Sequence, residues 1–477
     1  MATACLRCSA LENELAELRA QNEQLRAQLE KAQKPDVKCQ ENETKEDLPV
    51  PDTSTYSSFS RAELQRYGRQ MLVKEFGVEA QLRLRAANVL LIGVGGLGSP
   101  VAMYLAAMGV GTLAVVDGDL VDRSNLHRQI LHDEQGAKKQ EKKVESAKRR
   151  LEELNPLVRC IVYPTRFTAA NALDLVGEYD VVVDASDNVG TRYLVNDACA
   201  RRHKPLVSGS ALGLEGQVTV FTYEEDEGAT GCYRCLYPTP PRVAMSCAEN
   251  GVIGVVPGVI GCLQAMETVK IVTGVGEPLV GVQCFYDAYD GQFRRLKIGK
   301  KRNSDCSSCG KGAVVSEKGN TGSLDTSLLV EGSCTDGKLV DDLGPEFRVS
   351  VEEFKEARKD ASAARGDTPQ RNYVLLDTRA HTQFDMVHFP EAMNIPTAQL
   401  MKQDPVEVIA NLHGETSNAV ADPRAAKRTF VICRRGVDSV KVTRWLLRSG
   451  VQNVFNINGG YTEYAKEGGV DPTFPMY

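Results

Sequence analysis

The sequence predicts an α/β protein: a doubly wound, mainly parallel sheet followed by a smaller α/β unit, with a short helix ahead of both. Three observations carry this. Apolar runs of strand length alternate with amphipathic stretches from Phe59 to about Gly299, the rhythm that builds a parallel sheet flanked by helices. The glycine-rich turn Leu91-Ile-Gly-Val-Gly-Gly-Leu-Gly-Ser-Pro100 stands between the first such run and a helical pattern. The alternation stops across 311–345, where Ser, Gly and Asp dominate, and resumes from Glu346.

A chain of 477 residues holds two or three domains at about 100–200 residues each. With 42% apolar and 25% charged residues it is globular in composition. The net charge of -6 and pI near 5.7 give none of the basic footprint of a nucleic-acid reader. The N-terminus runs straight into charged residues instead of the roughly 7–15-residue apolar core of a secretory signal. The longest apolar stretch, around Val252–Leu263, is broken by Pro257, short of the ~18 residues of a membrane span. The expectation is a cytosolic protein with no membrane segment. Its 14 cysteines are too dilute for a disulfide scaffold and are read as metal ligands, nucleophiles or buried fillers.

Taken in order, residues 1–58 begin with leucines at 11, 18 and 25, with 15 and 29 on the alternate seam and Asn22 in register with that second set at an a position, a short heptad pattern compatible with a coiled coil or a lone helix. Lys34 to Ser58 turns to Pro, Asp, Glu, Ser and Thr, a disordered linker by composition. In 59–310, strands are expected at Asn88–Ile92, Leu113–Val116, Val158–Tyr163, Asp180–Val183, Pro205–Val207, Gln217–Tyr223 and Gln283–Tyr286, the later ones open to antiparallel pairing. Residues 311–345 form a second linker. In 346–477, strands are expected at Val374–Leu376, Thr429–Ile432 and Asn453–Asn456, with a helix from Ser439 to Arg448.

Gly93, Gly95, Gly96 and Gly98 permit a tight turn whose N–H groups approach a phosphate at a helix start. Asp117 closes the next strand, where a carboxylate accepts from ribose hydroxyls. A dinucleotide-binding dehydrogenase shows the same two features. The residues that follow separate the cases: Ser124-Asn-Leu-His-Arg128 with Asn125 and Arg128, Lys143 at a helix start, and Asp184-Ala-Ser-Asp-Asn188 at another strand end. Hydride transfer needs no such collection. Attack on the α-phosphate of ATP does, because Arg and Lys meet the developing charge and Mg²⁺ needs an oxygen ligand such as Asp187.

The set GVGGLGSP, DGDLVDRSNLHRQ, KVESA, DASDN and Arg66-Tyr-Gly-Arg-Gln70 resembles the ubiquitin-activating-enzyme-like adenylyltransferases that act on sulfur carrier proteins, across about residues 59–309, which implies a Rossmann-like activating domain. The resemblance implies that Gly96, Asp117, Asn125, Arg128, Lys143, Asp187 and Asn188 contact ATP and Mg²⁺, with Ser124, Leu126 and His127 in the same segment. It further implies that Asp119 organises the site and that Arg69 reaches it from the other subunit of a homodimer. Lys142 is a rival to Lys143.

Cys232-Tyr-Arg-Cys235 and Cys306-Ser-Ser-Cys309 are each spaced to place two thiolates on one metal, and four such sulfurs make a closed tetrahedral zinc site. The separation of the pairs exceeds that of a zinc finger, and a redox pair is the alternative. The resemblance implies Zn²⁺ on all four. Cys247 matches the cysteine that related activators place near the adenylate, with a buried thiol as the alternative. Cys160, Cys199, Cys262 and Cys284 fall in apolar patterns expected in the core.

Cys433 ends an apolar strand in Phe430-Val-Ile-Cys-Arg-Arg-Gly-Val-Asp-Ser-Val440. Helix N–H groups together with Arg434 and Arg435 favour a thiolate or an anionic persulfide there, while Asp438 opposes them. Leu375-Leu-Asp-Thr-Arg379, His388-Phe-Pro-Glu-Ala-Met-Asn-Ile-Pro396, CRRGVDS and Asn456-Ile-Asn-Gly-Gly460 resemble a rhodanese domain over 346–477. Asp377, Arg379 and His388 are read as scaffold. The combination resembles the two-domain adenylyltransferase and sulfurtransferase family of molybdenum-cofactor synthesis and tRNA thiolation. That implies ubiquitin-like sulfur carriers as partners, namely the small subunit of molybdopterin synthase and the ubiquitin-related modifier, with a cysteine desulfurase or other sulfur donor loading Cys433. A conjugating activator forming a thioester at Cys247, or a non-catalytic scaffold, are the rival readings.

Overall fold

The structure, a computed structural model, describes residues 58–225, 228–240, 251–310, 343–363, 372–413, 427–466, 471 and 474–475. The leucine heptads, Cys247 and most of the second linker lie outside the described residues. Helix α1 (Arg61–Met71) opens on a capping box: Ser60 N donates to Glu63 Oε2 at 2.8 Å and Glu63 N to Ser60 Oγ at 3.2 Å, satisfying N–H groups that the first turn leaves without partners.

The larger sheet has eight strands. Five are parallel: β1 (Asn88–Ile92), β2 (Thr112–Val116), β3 (Arg159–Tyr163), β4 (Val181–Asp184) and the start of β5 (Leu206–Leu212). The chain then turns back through β6 (Glu215–Phe221), makes the small hairpin β7 (Glu224–Glu225) and β8 (Gly228–Ala229), and completes the sheet with β9 (Val282–Asp287) and β10 (Gln292–Lys297), all antiparallel to their neighbours. The order is β10-β9-β6-β5-β4-β1-β2-β3. The chain leaves β1 toward β2 and β3, then returns to β4 on the other side. The crevice at the carboxyl ends of β1 and β4 is therefore the topological switch point where ligands bind in open α/β sheets.

Alternation along the strands sends Val89 and Leu91 to one core and Leu90 and Ile92 to the other, all buried, as a sheet covered on both faces requires. The first face is covered by α2 (Gly77–Ala86), α3 (Gly98–Met108), α5 (Lys143–Leu154) and α9 (Val255–Thr273), with short α4 (Glu134–Lys139) ahead of α5. The second is covered by α6 (Ala172–Gly177) and α7 (Val189–Arg202), and the short α8 (Tyr233–Leu236) packs on α7.

Pro257 does not end the apolar stretch. It occupies the third position of α9, inside the first turn where the missing N–H costs nothing, so the helix begins at Val255 and runs for 19 residues. That is long and apolar enough to cross a membrane by length and composition, but the helix carries buried Gln264, Glu267 and Thr268 and lies in the core of the larger unit. Gly261 explains the close packing: a Cβ there would sit 2.3 Å from Leu97 O. Cys199 and Cys284 are buried as expected and Cys160 is half-buried, but Cys262 is exposed, because it follows Gly261 on α9 and points away from α3.

The second sheet is five-stranded and wholly parallel. Its strands are β11 (Arg348–Val349), β12 (Tyr373–Asp377), β13 (Ala392–Asn394), β14 (Arg428–Ile432) and β15 (Val454–Ile457), in the order β11-β15-β14-β12-β13. Its connections are α10 (Val351–Ala363), α11 (His381–Met386), α12 (Thr397–Leu400), α13 (Pro405–His413), α14 (Val437–Arg448) and α15 (Gly460–Ala465). One face packs the aromatics Phe354, Tyr373, Phe389, Phe430, Tyr461 and Tyr464, and the other Leu376, Val431, Val442 and Leu446. Helix α14 starts at Val437, two residues before the expected Ser439, because Gly436 at φ +81° supplies the left-handed turn into it.

Candidate active site

The glycine turn leaves β1 at Gly93, whose φ is +87° and whose N–H continues the ladder to Val116 O at 2.9 Å. Neither Gly93 nor Gly98 tolerates a side chain: a Cβ on Gly98 would lie 2.1 Å from Gly93 O, and one on Gly93 2.9 Å from Ala185 O. Gly96 sits between Pro257 and the Arg128 stem, each 3.3–3.4 Å from where its Cβ would be. The turn is thus bare backbone with a guanidinium beside it, a surface suited to phosphate oxygens.

Asp117 lies one residue past β2, beside the turn. Its Oδ2 accepts from Val94 N at 3.0 Å and its Oδ1 from Asp119 N at 2.9 Å. Burial pushes its carboxyl above the ordinary carboxylate value, and Lys143 pulls it back. Lys143 is buried and its Nζ donates to Asp119 Oδ2 at 3.0 Å, whereas Lys142 is exposed as the N-cap of α5. Of the two rivals, geometry turns Lys143 inward.

The segment Ser124–Arg128 starts within a 3₁₀ turn, Arg123–Asn125, capped by Asp122, whose Oδ1 accepts from both Ser124 N and Ser124 Oγ at 2.7 Å. The Ser124 hydroxyl bond holds the Asp122 carboxyl below its ordinary value. Arg128 Nη2 donates to Asn125 Oδ1 at 2.7 Å, and Arg128 Nη1 and Ser124 O lie 3.2 and 3.0 Å from the His127 ring nitrogens. Leu126 continues the turn and is half-buried.

At the end of β4 two carboxylates have opposite surroundings. Asp184 is fully buried and takes Arg192 Nε at 3.2 Å, Ser186 N at 3.0 Å and Ser186 Oγ at 2.6 Å. Arg192 also donates to Gly209 O at 3.1 Å, so this pair braces β4, β5 and α7. Asp187 is exposed at the carboxyl end of the strand and could hold a cation. Asn188 caps α7 through Oδ1, which accepts from Thr191 N at 2.7 Å. Arg69 is exposed in the last turn of α1, with no ion pair to this set among the described residues.

The four cysteines of the two pairs come together. Cys232 Sγ is 3.6 Å from Cys306 Sγ and 4.0 Å from Cys235 Sγ, Cys235 Sγ is 3.4 Å from Cys309 Sγ, and all four sulfurs lie within 4.8 Å of one another. Ligands about 2.3 Å from a tetrahedral ion sit about 3.8 Å apart, so the cluster could hold one. Asn303 N points at Cys235 Sγ from 3.4 Å, a hydrogen bond that suits a thiolate. The knuckle is tied to α7 by Arg234 on Asp197 at 2.7 and 2.8 Å and by Tyr233 N on Asn196 Oδ1 at 2.6 Å.

Cys433 follows β14 and is 3% exposed. Its Sγ is 3.3 Å from the hydroxyl of fully buried Ser439 in the first turn of α14. The Gly-Gly pair shapes its turn: Gly459 and Gly460 have φ of +70° and +57°, and a Cβ on Gly460 would fall 2.1 Å from Cys433 O. Tyr461 N donates to Cys433 O at 3.1 Å and Thr462 N to Arg434 O at 2.9 Å. Asp438 pairs with Lys441 at 2.9 Å, which offsets part of its charge beside the thiol. Asp377 and Arg379 form a buried pair at 2.6 Å with the guanidinium 3.9 Å over the Tyr461 ring. His388 is exposed, stacked on Phe384 at 3.9 Å. Of the three residues read as scaffold, Asp377 and Arg379 are buried and His388 is not.

Three participants escaped sequence reasoning: Ser439 beside the thiol, the Asp184–Arg192 brace, and His132 under the glycine turn. The first was visible as a hydroxyl opening a helix; the other two join residues that only the fold brings together.

The ThiF family model matches residues 67–308 and the Rhodanese-like domain model residues 351–467. The adenylyltransferase and sulfurtransferase MOCS3 of Sus scrofa is 42% identical over 92% of this chain and 92% of its own length. The protein of the same description from Drosophila virilis is 36% identical over 98% and 99%. Among solved structures, that of E. coli MccB with MccA-N7isoASN matches at 24% identity, covering 53% of this chain and 76% of that one with a TM-score of 0.46. With a bare-backbone turn and its cations in the first half and a thiol cradled at a helix start in the second, the chain belongs to the MOCS3 family of adenylyltransferases and sulfurtransferases.

Proposed function

We propose that the protein adenylates the C-terminal glycine of ubiquitin-like sulfur carriers and then converts it to a thiocarboxylate, serving molybdopterin synthesis and tRNA 2-thiolation. The observation that carries this is the presence of both half-sites in one chain: the phosphate-ready turn with Arg128 and Lys143, and Cys433 under a helix start.

In the first half-reaction the carrier's carboxylate oxygen attacks the α-phosphorus of ATP, the α–β bridge breaks, and pyrophosphate leaves. Gly96 and the turn's N–H groups receive the phosphates, Arg128 and Lys143 meet the charge that builds on them, and Asp117 with Asn125 fixes the sugar. Mg²⁺ would take an oxygen of Asp187, the carboxylate that no brace occupies, and neutralises phosphate charge when bound. Asp119 orients Lys143, Ser124, Leu126, His127 and Asn188 complete the nucleotide wall, and Arg69 reaches the site of a second copy in a homodimer.

In the second half-reaction the terminal sulfur of a Cys433 persulfide attacks the acyl carbon and AMP leaves, giving an acyl disulfide. A thiolate, Cys247 in this reading, then attacks Cys433 Sγ. Thiocarboxylate departs with the bonding electrons and a Cys433–Cys247 disulfide remains for an external thiol to reduce. A cysteine desulfurase or small sulfur donor reloads Cys433. Zn²⁺ on Cys232, Cys235, Cys306 and Cys309 supplies a closed, structural clamp. The working division is 59–310 for activation and 346–477 for sulfur transfer, with 311–345 as the connecting reach, in a cytosolic protein that contacts no nucleic acid or membrane.

The test is mass spectrometry of the two candidate carriers after incubation with ATP, MgCl₂ and a sulfur donor. The expected product has one tail oxygen replaced by sulfur, and Cys433→Ala keeps carrier-dependent ATP–pyrophosphate exchange while losing that product. A thioester at Cys247 without need of Cys433 would move the protein to the conjugating class instead.

A further inference from the structure

A closed path of hydrogen bonds, completed by one turn of helix α5, runs through Val94 of the glycine turn, and one member has no part in the chemistry above. Asp117 accepts from Val94 N and Asp119 N, and Asp119 in turn takes Lys143 Nζ. Lys143 opens α5, and one turn along the same helix the fully buried Ser146 places Oγ 3.1 Å from His132 Nδ1. His132 Nε2 lies 3.0 Å from Val94 O, which returns the path to its start. A carbonyl only accepts, so Nε2 carries the proton and Nδ1 accepts from the Ser146 hydroxyl.

We propose that His132 is a positioning residue for adenylation, a strut that fixes the glycine turn relative to the lysine helix so that the turn's N–H groups and the Lys143 ammonium converge on the same phosphates. The inference rests on the adenylation reading. Its geometry is specific. The ring joins the residue between Gly93 and Gly95 to the helix that carries the cation, and does so through a side chain only 7% exposed. The adjoining Gln129 is 5% exposed, its amide lies 3.4 Å from the Cβ position of Gly95, and its Oε1 has no hydrogen-bond partner among the described residues. The turn therefore rests on the segment Asn125–His132 at two points.

The imidazole is held neutral. Burial lowers it to about 4, the Val94 carbonyl and the carboxylates Glu141 and Asp133 oppose this, and the like charge of Lys143 adds to the lowering. Glu141 and Asp133 are themselves engaged by Arg149 at 3.3 and 3.2 Å. A neutral ring adds no like charge against the Lys143 ammonium.

The test uses the full chain with His132→Phe, which keeps the ring volume but removes both hydrogen bonds, and His132→Gln, whose amide restores a donor toward Val94 O. Carrier-dependent ATP–pyrophosphate exchange is measured against ATP and against carrier, beside thiosulfate sulfurtransferase activity and thermal melting. The phenylalanine variant is expected to lose about tenfold to hundredfold in kcat/KM for ATP, the size of one or two buried hydrogen bonds. Its KM for carrier and its sulfurtransferase activity stay within about twofold, and glutamine recovers most of the loss. Unchanged ATP kinetics in folded His132→Phe would overturn the assignment. So would a loss in the glutamine variant that tracks only its melting temperature. If the wild type exchanges no pyrophosphate with any carrier, the adenylation reading itself fails and takes this assignment with it.

Discussion

A single methyl group at Gly460 tests how the sulfur-transfer half builds its reactive turn. In Gly460→Ala the new Cβ would stand 2.1 Å from Cys433 O and 3.0 Å from Arg434 O, both main-chain atoms with no rotamer to yield. Ordinary carbon–oxygen contact begins near about 3.3 Å, so the two backbones must part by roughly 1 Å. Parting them breaks the bonds from Tyr461 N to Cys433 O and Thr462 N to Arg434 O. The left-handed φ of +57° adds about 1–2 kcal/mol for a non-glycine residue, and overpacking about 1–3 more. A 1 Å displacement of a reacting group costs on the order of 100-fold in rate. Thiosulfate sulfurtransferase activity should therefore fall about 100-fold, with ATP–pyrophosphate exchange unchanged and the second unit destabilised by roughly 2–5 kcal/mol. Gly450→Ala is the control, since φ is +84° there but nothing lies within 4 Å of the added carbon. It should pay the backbone term alone and keep its activity. Near-normal sulfur transfer by folded Gly460→Ala, or equal loss in both variants, would refute the claim that this close approach sets the cysteine turn.

Elemental analysis should find one zinc per chain, and Cys306→Ser should lose it together with several degrees of melting temperature; full stability of chelator-stripped protein would contradict a structural clamp. Asp187→Ala should abolish exchange without loss of folding, whereas Arg192→Met, which strands the buried Asp184 carboxylate, should cost about 3–5 kcal/mol in denaturant melts. Acid should weaken the activating half. His132 is held at about 4 in the folded protein against 6.5 for the free ring. Its contribution is thus complete above pH 6.5, and about 3 kcal/mol disappears as pH falls toward 4. Urea unfolding of wild type and His132→Gln between pH 7 and 4 checks this, and parallel curves would exclude it.

Strands whose β-branched runs are buried on both faces, such as Asn88–Ile92 and Arg428–Ile432, were located within a residue or two, as was the less buried edge strand β3, whereas β5 runs on to Leu212, past the expected Pro205–Val207. Strand β10 escaped because all six residues are exposed and three are cationic, which leaves no apolar period to read. The apolar stretch around Val252–Leu263 was read as broken at Pro257 because proline reads as a breaker by type, while its effect depends on position within the first turn. Cys262 sits in an apolar run yet faces outward; a helix that is apolar on most sides does not announce which side is covered. The paired cysteines were legible as ligands, but their convergence depends on the return of the chain through β9 and β10, which no local spacing encodes.

The same dependence explains why charge type alone could not assign roles at the ends of β4 and β12. Asp184 and Asp187 lie in one five-residue motif, and only their surroundings separate them. Arg192 and the Ser186 backbone and hydroxyl already use the lone pairs of Asp184, and a carboxylate so engaged has little left for a cation. Asp377 repeats the arrangement with Arg379 behind the second reactive turn. In both units, then, a buried carboxylate–arginine pair fixes a strand end; Asp187, proposed above as the cation ligand, lies three residues past the first pair's carboxylate, and Cys433, proposed as the sulfur carrier, follows the strand whose end pairs with Asp377. If that logic is right, neutralising either brace should act through stability and geometry, while removing Asp187 or Cys433 should silence one half-reaction in a protein that still folds.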